Sequence, residues 1–258
     1  MQRHQPRKRF GQNFLVDRHY VDRIVATLNL RPDDNVVEIG PGLGALTRPL
    51  LERLAHLTVI EIDRELAARL TAEFPPEKLS LYNVDALTFD FTGLGMDLRV
   101  VGNLPYNISS PLLFHLVQHD AVLRDVTVML QKEVVQRMAA VPNSPEYGRL
   151  TVMLQARFRV EKLFIVPPGA FRPAPKVESA VARLTPLGAA RPKITDEPLF
   201  AQLVAAAFGQ RRKTLRNALK HWASAAELER ASIAAGARGE TLSVTDFARL
   251  ANALARSG

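Results

Sequence analysis

The sequence contains no cysteine, which excludes disulfide bonds and metal sites built from thiolates. No uninterrupted apolar run approaches the ~20 residues that a helix needs to cross a bilayer. The basic residues at the start of the chain are not followed by the apolar stretch of a signal peptide. Internal repeats and long low-complexity segments are also absent. From these absences we expect a soluble, cytoplasmic protein.

Acidic residues are scarce at both ends of the chain. Residues 1–20 contain five basic residues and one acidic residue, a net charge of +4. Residues 186–258 contain eleven basic and six acidic residues, a net charge of +5. Residues 21–185 have a balance of −1, so the total of +8 resides at the two ends. This distribution favours a polyanionic partner such as a nucleic acid, because Lys and Arg contacts to phosphates supply affinity for any nucleotide sequence. A charge that only keeps the protein in solution is the alternative.

Short apolar runs alternate with helical patterns through the middle of the chain. Strands are predicted at Val36–Ile39, Thr58–Ile60, Leu79–Val84, Leu98–Val101 and Val126–Leu130, and helices at Ala45–Leu57 and Arg64–Phe74. Strands that alternate with helices predict an α/β fold with a mostly parallel, doubly wound sheet. A late strand at Val177–Leu184 would run antiparallel to its neighbour.

The pattern becomes entirely helical after a break at Pro186-Leu187-Gly188. Helices are predicted at Leu199–Phe208, Leu215–Trp222, Ala226–Ala235 and Val244–Ala255, the last of them capped by Ser243 or Thr245. We therefore divide the chain into a basic N-terminal segment over residues 1–20, a core domain over residues 21–185 and a small all-helical domain over residues 186–258. We expect a monomer, because we find no heptad pattern that would form a coiled coil.

A glycine-rich turn and two carboxylates indicate a nucleotide-like ligand. Gly40-Pro41-Gly42-Leu43-Gly44 follows a predicted strand and opens a helix, and glycine lets the backbone approach a ligand. Glu61 and Asp85 end the next two strands, where carboxylates can accept hydrogen bonds from a ribose and from an adenine amine. The spacing is G-x-G-x-G and not the G-x-G-x-x-G that exposes a helix N-terminus to a pyrophosphate, and the acidic Glu38 favours a cationic ligand. S-adenosylmethionine is therefore favoured over a dinucleotide; a simple strand–helix turn is the alternative.

The tetrapeptide Asn103-Leu104-Pro105-Tyr106 is the most specific feature of the sequence. The exocyclic nitrogen of adenine is a poor nucleophile because its lone pair is delocalised into the ring. The Asn103 oxygen and the Leu104 carbonyl could accept its two protons and localise that lone pair, while Pro105 stiffens the turn. Tyr106 offers a flat face to an extruded base. The alternative is an ordinary Asn-Pro turn beside a core tyrosine.

These motifs together resemble one known family. The matching stretches are Arg9–Leu15, Glu38–Thr47, Val59–Asp63, Asn103–Ser109, Phe171–Val177 and Gln210–Thr214. In order and over nearly the whole chain, they resemble the KsgA-type (RsmA) small-subunit ribosomal RNA adenine dimethyltransferases. The resemblance implies a Rossmann-like class I methyltransferase fold and dimethylation of two adjacent adenosines in the hairpin near the 3′ end of the small-subunit rRNA.

The resemblance also implies roles for individual residues. The N-terminal segment would contribute Asn13 and Leu15, which close over the methionine end of S-adenosylmethionine. Phe171 would stack on the target base opposite Tyr106. The cofactor-binding residues predicted in this way are Asn13, Leu15, Gly40, Gly42, Glu61, Ile62, Asp85, Ala86 and Asn103. The predicted catalytic residues are Asn103, Leu104, Pro105, Tyr106 and Phe171.

Two basic patches are candidates for RNA contact. The first consists of Arg7, Lys8 and Arg9. The second consists of Arg211, Arg212, Lys213, Arg216 and Lys220, on a predicted basic helix over residues 210–220 whose leucines would pack inward. The alternatives are a basic tail and a solvated surface helix. We predict no metal site, because His115 and His119 have no evident third ligand.

Three other functions remain open at this point. A DNA adenine methyltransferase is disfavoured by Asn103-Leu104, where those enzymes commonly have Asp-Pro, and by the absence of a long target-recognition insertion. A nicotinamide-dependent oxidoreductase would bind NAD in place of S-adenosylmethionine. A non-catalytic RNA-binding assembly factor would need only the basic ends. An intact tetrapeptide argues against lost activity.

Overall fold

A computed structural model describes residues 12–210 and 213–255. The chain forms two compact units. The first contains the described chain up to Val135 together with Val160–Pro186, and the second contains Gln136–Arg159 and the described chain from Leu187 onward. The second unit therefore includes a stretch that the sequence analysis placed in the core domain. No helix among the described residues has the length and apolar character needed to span a membrane.

A seven-stranded sheet forms the framework of the first unit. The strands of the structure are β1 (Phe14–Leu15), β2 (Val36–Ile39), β3 (Leu57–Ile60), β4 (Leu79–Tyr82), β5 (Leu98–Asn103), β6 (Leu123–Gln131), β7 (Phe158–Val166), β8 (Phe171–Arg172) and β9 (Ser179–Pro186). The order in the large sheet is β4-β3-β2-β5-β6-β9-β7. The pairs from β4 to β6 are parallel, and β9 runs antiparallel to β6. The predicted α/β fold with a mostly parallel sheet is thereby confirmed.

The helices follow the strands along the chain. They are α1 (Arg18–Leu28), α2 (Thr47–Leu51), α3 (Arg64–Glu73), α4 (Ser109–Gln118), α5 (Lys132–Met138), α6 (Arg149–Gln155), α7 (Glu197–Gly209), α8 (Leu215–Ala218), α9 (Ala225–Arg230) and α10 (Val244–Ala255). Side-chain caps fix the first turns of several helices. Asp17 caps α1 by accepting from His19 N at 2.9 Å, and Asp63 caps α3 by accepting from Glu65 N at 3.0 Å. Ser243 caps α10, as predicted, since its hydroxyl accepts from Asp246 N at 3.1 Å.

The strands end where the site residues begin. All four residues of β2 and of β3 are buried, as expected for strands covered on both faces. Because these strands are parallel, their carboxyl ends meet at one edge, and the chain leaves that edge at Gly40, Glu61 and, after β5, Leu104. The sheet thus brings together side chains that are far apart in sequence.

The second unit has a core of its own. Tyr147 is buried and its hydroxyl donates to the Leu242 carbonyl at 2.8 Å. Its ring lies 5.9 Å from that of Phe208, which lies 5.8 Å from that of Phe247. These contacts attach residues 136–159 to the C-terminal helices, and they explain why a boundary read from helical pattern alone differs from the one in the structure.

The predicted basic helix over residues 210–220 is wrong. Helix α7 ends at Gly209 and Thr214 is extended (ψ 156°), so that among the residues of this stretch that the structure describes the helical ones are Leu215–Ala218. The amides of Leu215 and Arg216 donate to the carbonyls of Ala237 and Ala235, at 2.7 and 3.2 Å, and this tertiary pairing replaces helical hydrogen bonds. Leu215 and Leu219 are nevertheless buried, as predicted.

A buried ion network closes the sheet of the first unit at the end opposite the glycine turn. Arg99, at the start of β5, contacts Asp34 at 2.7 Å and Asp125 at 2.9 Å, and it donates to the Leu28 carbonyl at 2.6 Å. All these side chains are almost fully buried. Removal of Arg99 would leave Asp125 buried without its ion-pair partner, and Asp34 with Arg124 alone.

We predict that Arg99→Ala lowers the free energy of unfolding by about 3–5 kcal/mol, measured by urea denaturation. The control is Arg18→Ala, which breaks a pair with Asp22 whose arginine side chain is 90% exposed and should have little effect. Equal losses in the two variants would contradict a structural role for the network.

Candidate active site

The glycine turn after β2 forms one wall of a pocket in the first unit. Gly40 and Gly42 have φ values of +67° and +58°, which side-chain-bearing residues adopt only with strain. A Cβ added at Gly42 would lie 3.1 Å from the ring of Phe14, so only glycine lets the N-terminal segment pack against this turn. The turn therefore keeps its backbone exposed to a ligand.

Two carboxylates at neighbouring strand ends face the same pocket. Glu61 is 5% exposed, and its two oxygens accept from Gly42 N at 3.2 Å and from Asp63 N at 2.8 Å. Burial raises the pKa of Glu61 above its ordinary value. Asp85 lines the pocket, and one of its oxygens accepts from Leu87 N at 2.9 Å. Since each carboxylate oxygen has two lone pairs, both residues can still accept from a ligand.

Glu38 is a third carboxylate of the pocket lining, and it is almost fully buried. Its Oε2 accepts from the Thr47 hydroxyl at 2.7 Å. Burial raises the pKa of Glu38 to about 8, and the nearby charge of Glu61 acts in the same direction. A pocket with this lining favours a cationic ligand over an anionic one.

The tetrapeptide begins at the last residue of β5 and forms another part of the pocket wall, and three hydrogen bonds to residues distant in sequence hold it. Leu104 N donates to the Met129 carbonyl at 3.1 Å. The Asn103 Nδ2 donates to the Asn13 carbonyl at 3.0 Å. The Tyr106 hydroxyl lies 2.6 Å from the Ser179 hydroxyl, and burial raises the pKa of Tyr106.

The N-terminal segment is held over this wall by residues from late in the chain. Strand β1 pairs with β8, so Leu15 lies opposite Phe171. The amides of Val16 and Asp17 both donate to the Ala170 carbonyl, at 2.9 and 3.2 Å. Asn13 and Leu15 consequently line the pocket, where the sequence analysis placed them.

The pocket unites the predicted cofactor-binding residues. All nine of them line it: Asn13, Leu15, Gly40, Gly42, Glu61, Ile62, Asp85, Ala86 and Asn103. Leu104, Pro105 and Tyr106 line it as well. Two of its apolar side chains, Ile62 and Val84, are 45% and 41% exposed. An acidic pocket with exposed apolar side chains fits a ligand that has a flat ring, hydroxyl groups and positive charge.

Comparison with known proteins identifies the family. The family model for ribosomal RNA adenine dimethylase matches residues 3–256. The chain belongs to the ribosomal RNA adenine dimethylase family. Curated relatives named ribosomal RNA small subunit methyltransferase A include those of Aromatoleum aromaticum, 57% identical over 99% of this chain and 96% of the relative, and of Thiobacillus denitrificans, 57% identical over 95% and 96%.

Solved structures agree with this membership. A dimethyladenosine transferase from Plasmodium falciparum has a TM-score of 0.80 and 27% identity over 92% of this chain and 95% of that chain. The 23S rRNA methyltransferase ErmE has a TM-score of 0.70 and 30% identity over 94% of this chain and 100% of that chain. The predicted class I methyltransferase fold and the predicted rRNA adenine dimethyltransferase activity are confirmed by the family, which also removes the oxidoreductase and DNA methyltransferase alternatives.

Phe171 is the fifth predicted catalytic residue, expected to stack on the target base. Its side chain is fully buried in the core of the first unit and does not line the pocket. The pairing of β1 with β8 places Phe171 opposite Leu15 of the N-terminal segment. Its stacking on a target base stays a prediction.

The predicted RNA-binding residues divide into two sets. Arg7, Lys8, Arg9, Arg211 and Arg212 lie outside the described residues. Lys213, Arg216 and Lys220 are exposed in the second unit, without the shared helical face that the sequence analysis expected. Their contact with RNA stays a prediction.

The two histidines that were considered as metal ligands make other contacts. His115 Nε2 lies 2.8 Å from the Phe89 carbonyl, and His119 Nδ1 lies 3.0 Å from the His115 carbonyl. In the described part of the chain, no group of three or more His, Asp or Glu side chains is placed to hold a metal ion.

Three contributors to the site were missed by sequence reasoning: Phe14, Met129 and Ser179. Ser179 is a small polar residue near the start of the predicted late strand, which is the only signal that it offered. Its partner, Tyr106, lies 73 positions away. A contact at that separation cannot be read from a single sequence.

We predict that the free energy of unfolding falls as the pH rises from about 4.5 to about 8, because the folded protein keeps a proton on Glu38 that the unfolded chain releases at its ordinary pKa of 4.5. Glu38→Gln, which can still accept from Thr47, should flatten this dependence. Urea denaturation across this pH range measures it. The exposed Glu52→Gln variant is the control, and an unchanged slope in Glu38→Gln would contradict the assignment.

We also predict that Ser179 positions Tyr106. Tyr106→Phe and Ser179→Ala remove the same hydrogen bond, so each should raise KM for RNA several-fold and leave cofactor affinity unchanged. The double variant should be no worse than the poorer single variant, with a coupling of about 1 kcal/mol. A double-mutant cycle on kcat/KM measures this coupling, and strictly additive losses would show that the two hydroxyls act independently.

Proposed function

We propose that the protein transfers methyl groups from S-adenosylmethionine to the N6 amines of two adjacent adenosines in the 3′-terminal hairpin of small-subunit rRNA, and so acts in small-subunit biogenesis. The observation that carries the proposal is the bond from Asn103 Nδ2 to the Asn13 carbonyl, because it commits the amide nitrogen and leaves the oxygen as acceptor at the pocket. The names of the curated relatives support the small subunit as the source of the RNA.

The residues of the pocket fit S-adenosylmethionine. Glu61 would accept from the ribose hydroxyls and Asp85 from the adenine amine, while Ile62 and Ala86 would contact the adenine ring. Gly40, Gly42 and the N-terminal residues Asn13 and Leu15 would enclose the methionine end. When bound, S-adenosylmethionine supplies a methyl group on a positively charged sulfur, which makes that carbon open to attack by an amine.

The tetrapeptide supplies the chemistry on the RNA side. The Asn103 oxygen and the Leu104 carbonyl would accept the two protons of the adenine amine, which concentrates the lone pair on nitrogen. Tyr106 would hold the ring of the extruded base by stacking, with its hydroxyl restrained by Ser179. Pro105 has no N–H that could compete for these acceptors.

No strong base is required in this reaction. As the bond from nitrogen to the methyl carbon forms, the bond from that carbon to sulfur breaks, and the positive charge passes to the nitrogen. The resulting ammonium is acidic and releases one proton through the acceptors that already hold it. Positioning of the two reactants supplies much of the rate enhancement.

The RNA would be bound by both basic ends of the chain. We assign phosphate contacts to Arg7, Lys8 and Arg9 at the N-terminus and to Arg211, Arg212, Lys213, Arg216 and Lys220 in the helical domain. We propose the first unit as the catalytic part of the chain, and the second unit, which contains Gln136–Arg159 and the described residues from Leu187 onward, as the RNA-contacting part. The enzyme would act as a monomer in the cytoplasm, where ribosomal subunits are assembled.

The decisive test of this function is transfer of labelled methyl from S-adenosylmethionine to small ribosomal subunits that lack adenine dimethylation. The expected result is N6,N6-dimethyladenosine at two adjacent positions near the 3′ end of the rRNA. Naked small-subunit rRNA, 23S rRNA and duplex DNA are the comparison substrates. Label only in 23S rRNA or DNA would assign another substrate, and tight RNA binding with no label anywhere would indicate an assembly factor without catalysis.

Two substitutions should separate cofactor binding from chemistry. Asn103→Ala removes an acceptor for the target amine and also the bond to the Asn13 carbonyl, so kcat should fall by about 100-fold or more, far more than the affinity for S-adenosylmethionine. Glu61→Ala removes the ribose acceptor, so Kd for S-adenosylmethionine should rise at least tenfold before kcat is affected. Calorimetric titration and single-turnover kinetics measure the two effects, and the reverse pattern would overturn both roles.

A further inference from the structure

An exposed basic segment crosses the surface of the second unit. In the segment Lys213–Trp222, the side chains of Leu215 and Leu219 are fully buried, and so is most of Ala223, which follows it. The exposed side chains of the same segment include those of Lys213, Arg216, Lys220 and Trp222. The buried residues therefore fix the segment, and the cations and the indole ring are presented to solvent.

The charge of this segment is not balanced nearby in sequence. Residues 198–226 contain no acidic residue. Among the residues that the structure describes, no ion pair involves Lys213, Arg216 or Lys220, although other basic side chains of this unit, such as Arg157 and Arg249, are paired. A cluster of cations without partners favours a polyanion as the occupant.

Trp222 is the only tryptophan of the chain, and it is 41% exposed. Its backbone is held in a tight turn, because the amides of Trp222 and Ala223 both donate to the Leu219 carbonyl, at 2.7 and 2.8 Å. A tryptophan side chain has only two rotatable bonds and loses little conformational entropy on binding. It is therefore suited to act as a preorganised flat surface.

We propose that Trp222 stacks on an unpaired base of RNA while Lys213, Arg216 and Lys220 contact the adjoining phosphates. The proposal rests on the proposed function, in which RNA is the substrate, and it assigns a nucleotide-binding site to the helical unit. Stacking on an aromatic ring requires a base whose face is free, so the site selects single-stranded RNA over a duplex.

The surroundings of Trp222 argue against a membrane surface as the occupant. A helix that lies on a membrane needs a broad apolar face. In the segment Lys213–Trp222, the leucines that could form such a face are buried, and Trp222 is the one large apolar side chain that is exposed. A single ring among cations matches the alternation of base and phosphate in a nucleic acid strand.

The test uses the intrinsic fluorescence of the full-length protein, in which Trp222 is the only tryptophan. Titration with single-stranded oligoadenylate of roughly ten nucleotides should quench this fluorescence. Inorganic polyphosphate, which has charge but no bases, should compete for binding without quenching. A long RNA duplex, in which the bases stack on one another, should also bind without quenching.

Variants test the contribution of the ring to affinity. Trp222→Ala should weaken oligoadenylate binding by about 5- to 150-fold, whereas Trp222→Phe should keep most of the affinity. The matched control is Val141→Ala, which also removes an exposed apolar side chain of the second unit and should bind as the wild type does. On small ribosomal subunits, Trp222→Ala should raise KM and leave kcat unchanged.

The outcomes separate this inference from the proposed function. An unquenched signal at saturating oligoadenylate, or unchanged affinity in Trp222→Ala, would overturn the stacking site even if the wild type methylates rRNA. A fluorescence shift with vesicles of anionic phospholipid and none with RNA would overturn it in favour of a membrane. Quenching by RNA together with no methyl transfer by the wild type would leave the stacking site standing and remove the proposed function.

Discussion

One hydrogen bond, from the side chain of Asn103 to the backbone carbonyl of Asn13, connects the parts on which the active site depends. An amide group is planar, so donation from its nitrogen decides where its oxygen points. The bond also fastens the N-terminal segment across the pocket, where β1 pairs with β8. This one bond therefore both orients the Asn103 oxygen and closes the cofactor pocket. It joins two residues that lie 90 positions apart in the sequence.

The carboxylates of the pocket complete this arrangement. Glu38 and Glu61 are buried close enough for the charge of one to raise the pKa of the other. A ligand that carries positive charge would favour the ionised forms of both carboxylates and so lower their pKa values. The electrostatic design that favours a cationic methyl donor is therefore built into the fold, together with the backbone amide of Gly42 that holds Glu61.

The sequence predicted the parts of the site that follow from local pattern. Strand β2 has the predicted bounds, and Gly40, Glu61, Asp85 and Asn103 meet at one edge of the sheet because parallel strands end together. Contacts between distant segments could not be read in this way. The pairing of β1 with β8 buries the ring of Phe171, and backbone bonds to residues 235–237 replace the helix that the leucine spacing of residues 210–220 indicated. In residues 210–220, tertiary pairing outweighed a local pattern that favours a helix.

A crystal structure of the protein with S-adenosylhomocysteine would show directly whether the Asn103 oxygen faces the methyl donor. We expect the ribose hydroxyls to donate to Glu61, the adenine amine to donate to Asp85, and the sulfur to lie on the side of the pocket where the Asn103 oxygen is exposed. The bond from Asn103 Nδ2 to the Asn13 carbonyl should persist in the complex. A ligand bound elsewhere, or an Asn103 amide turned so that its nitrogen faces the sulfur, would show that Asn103 is not the acceptor for the target amine.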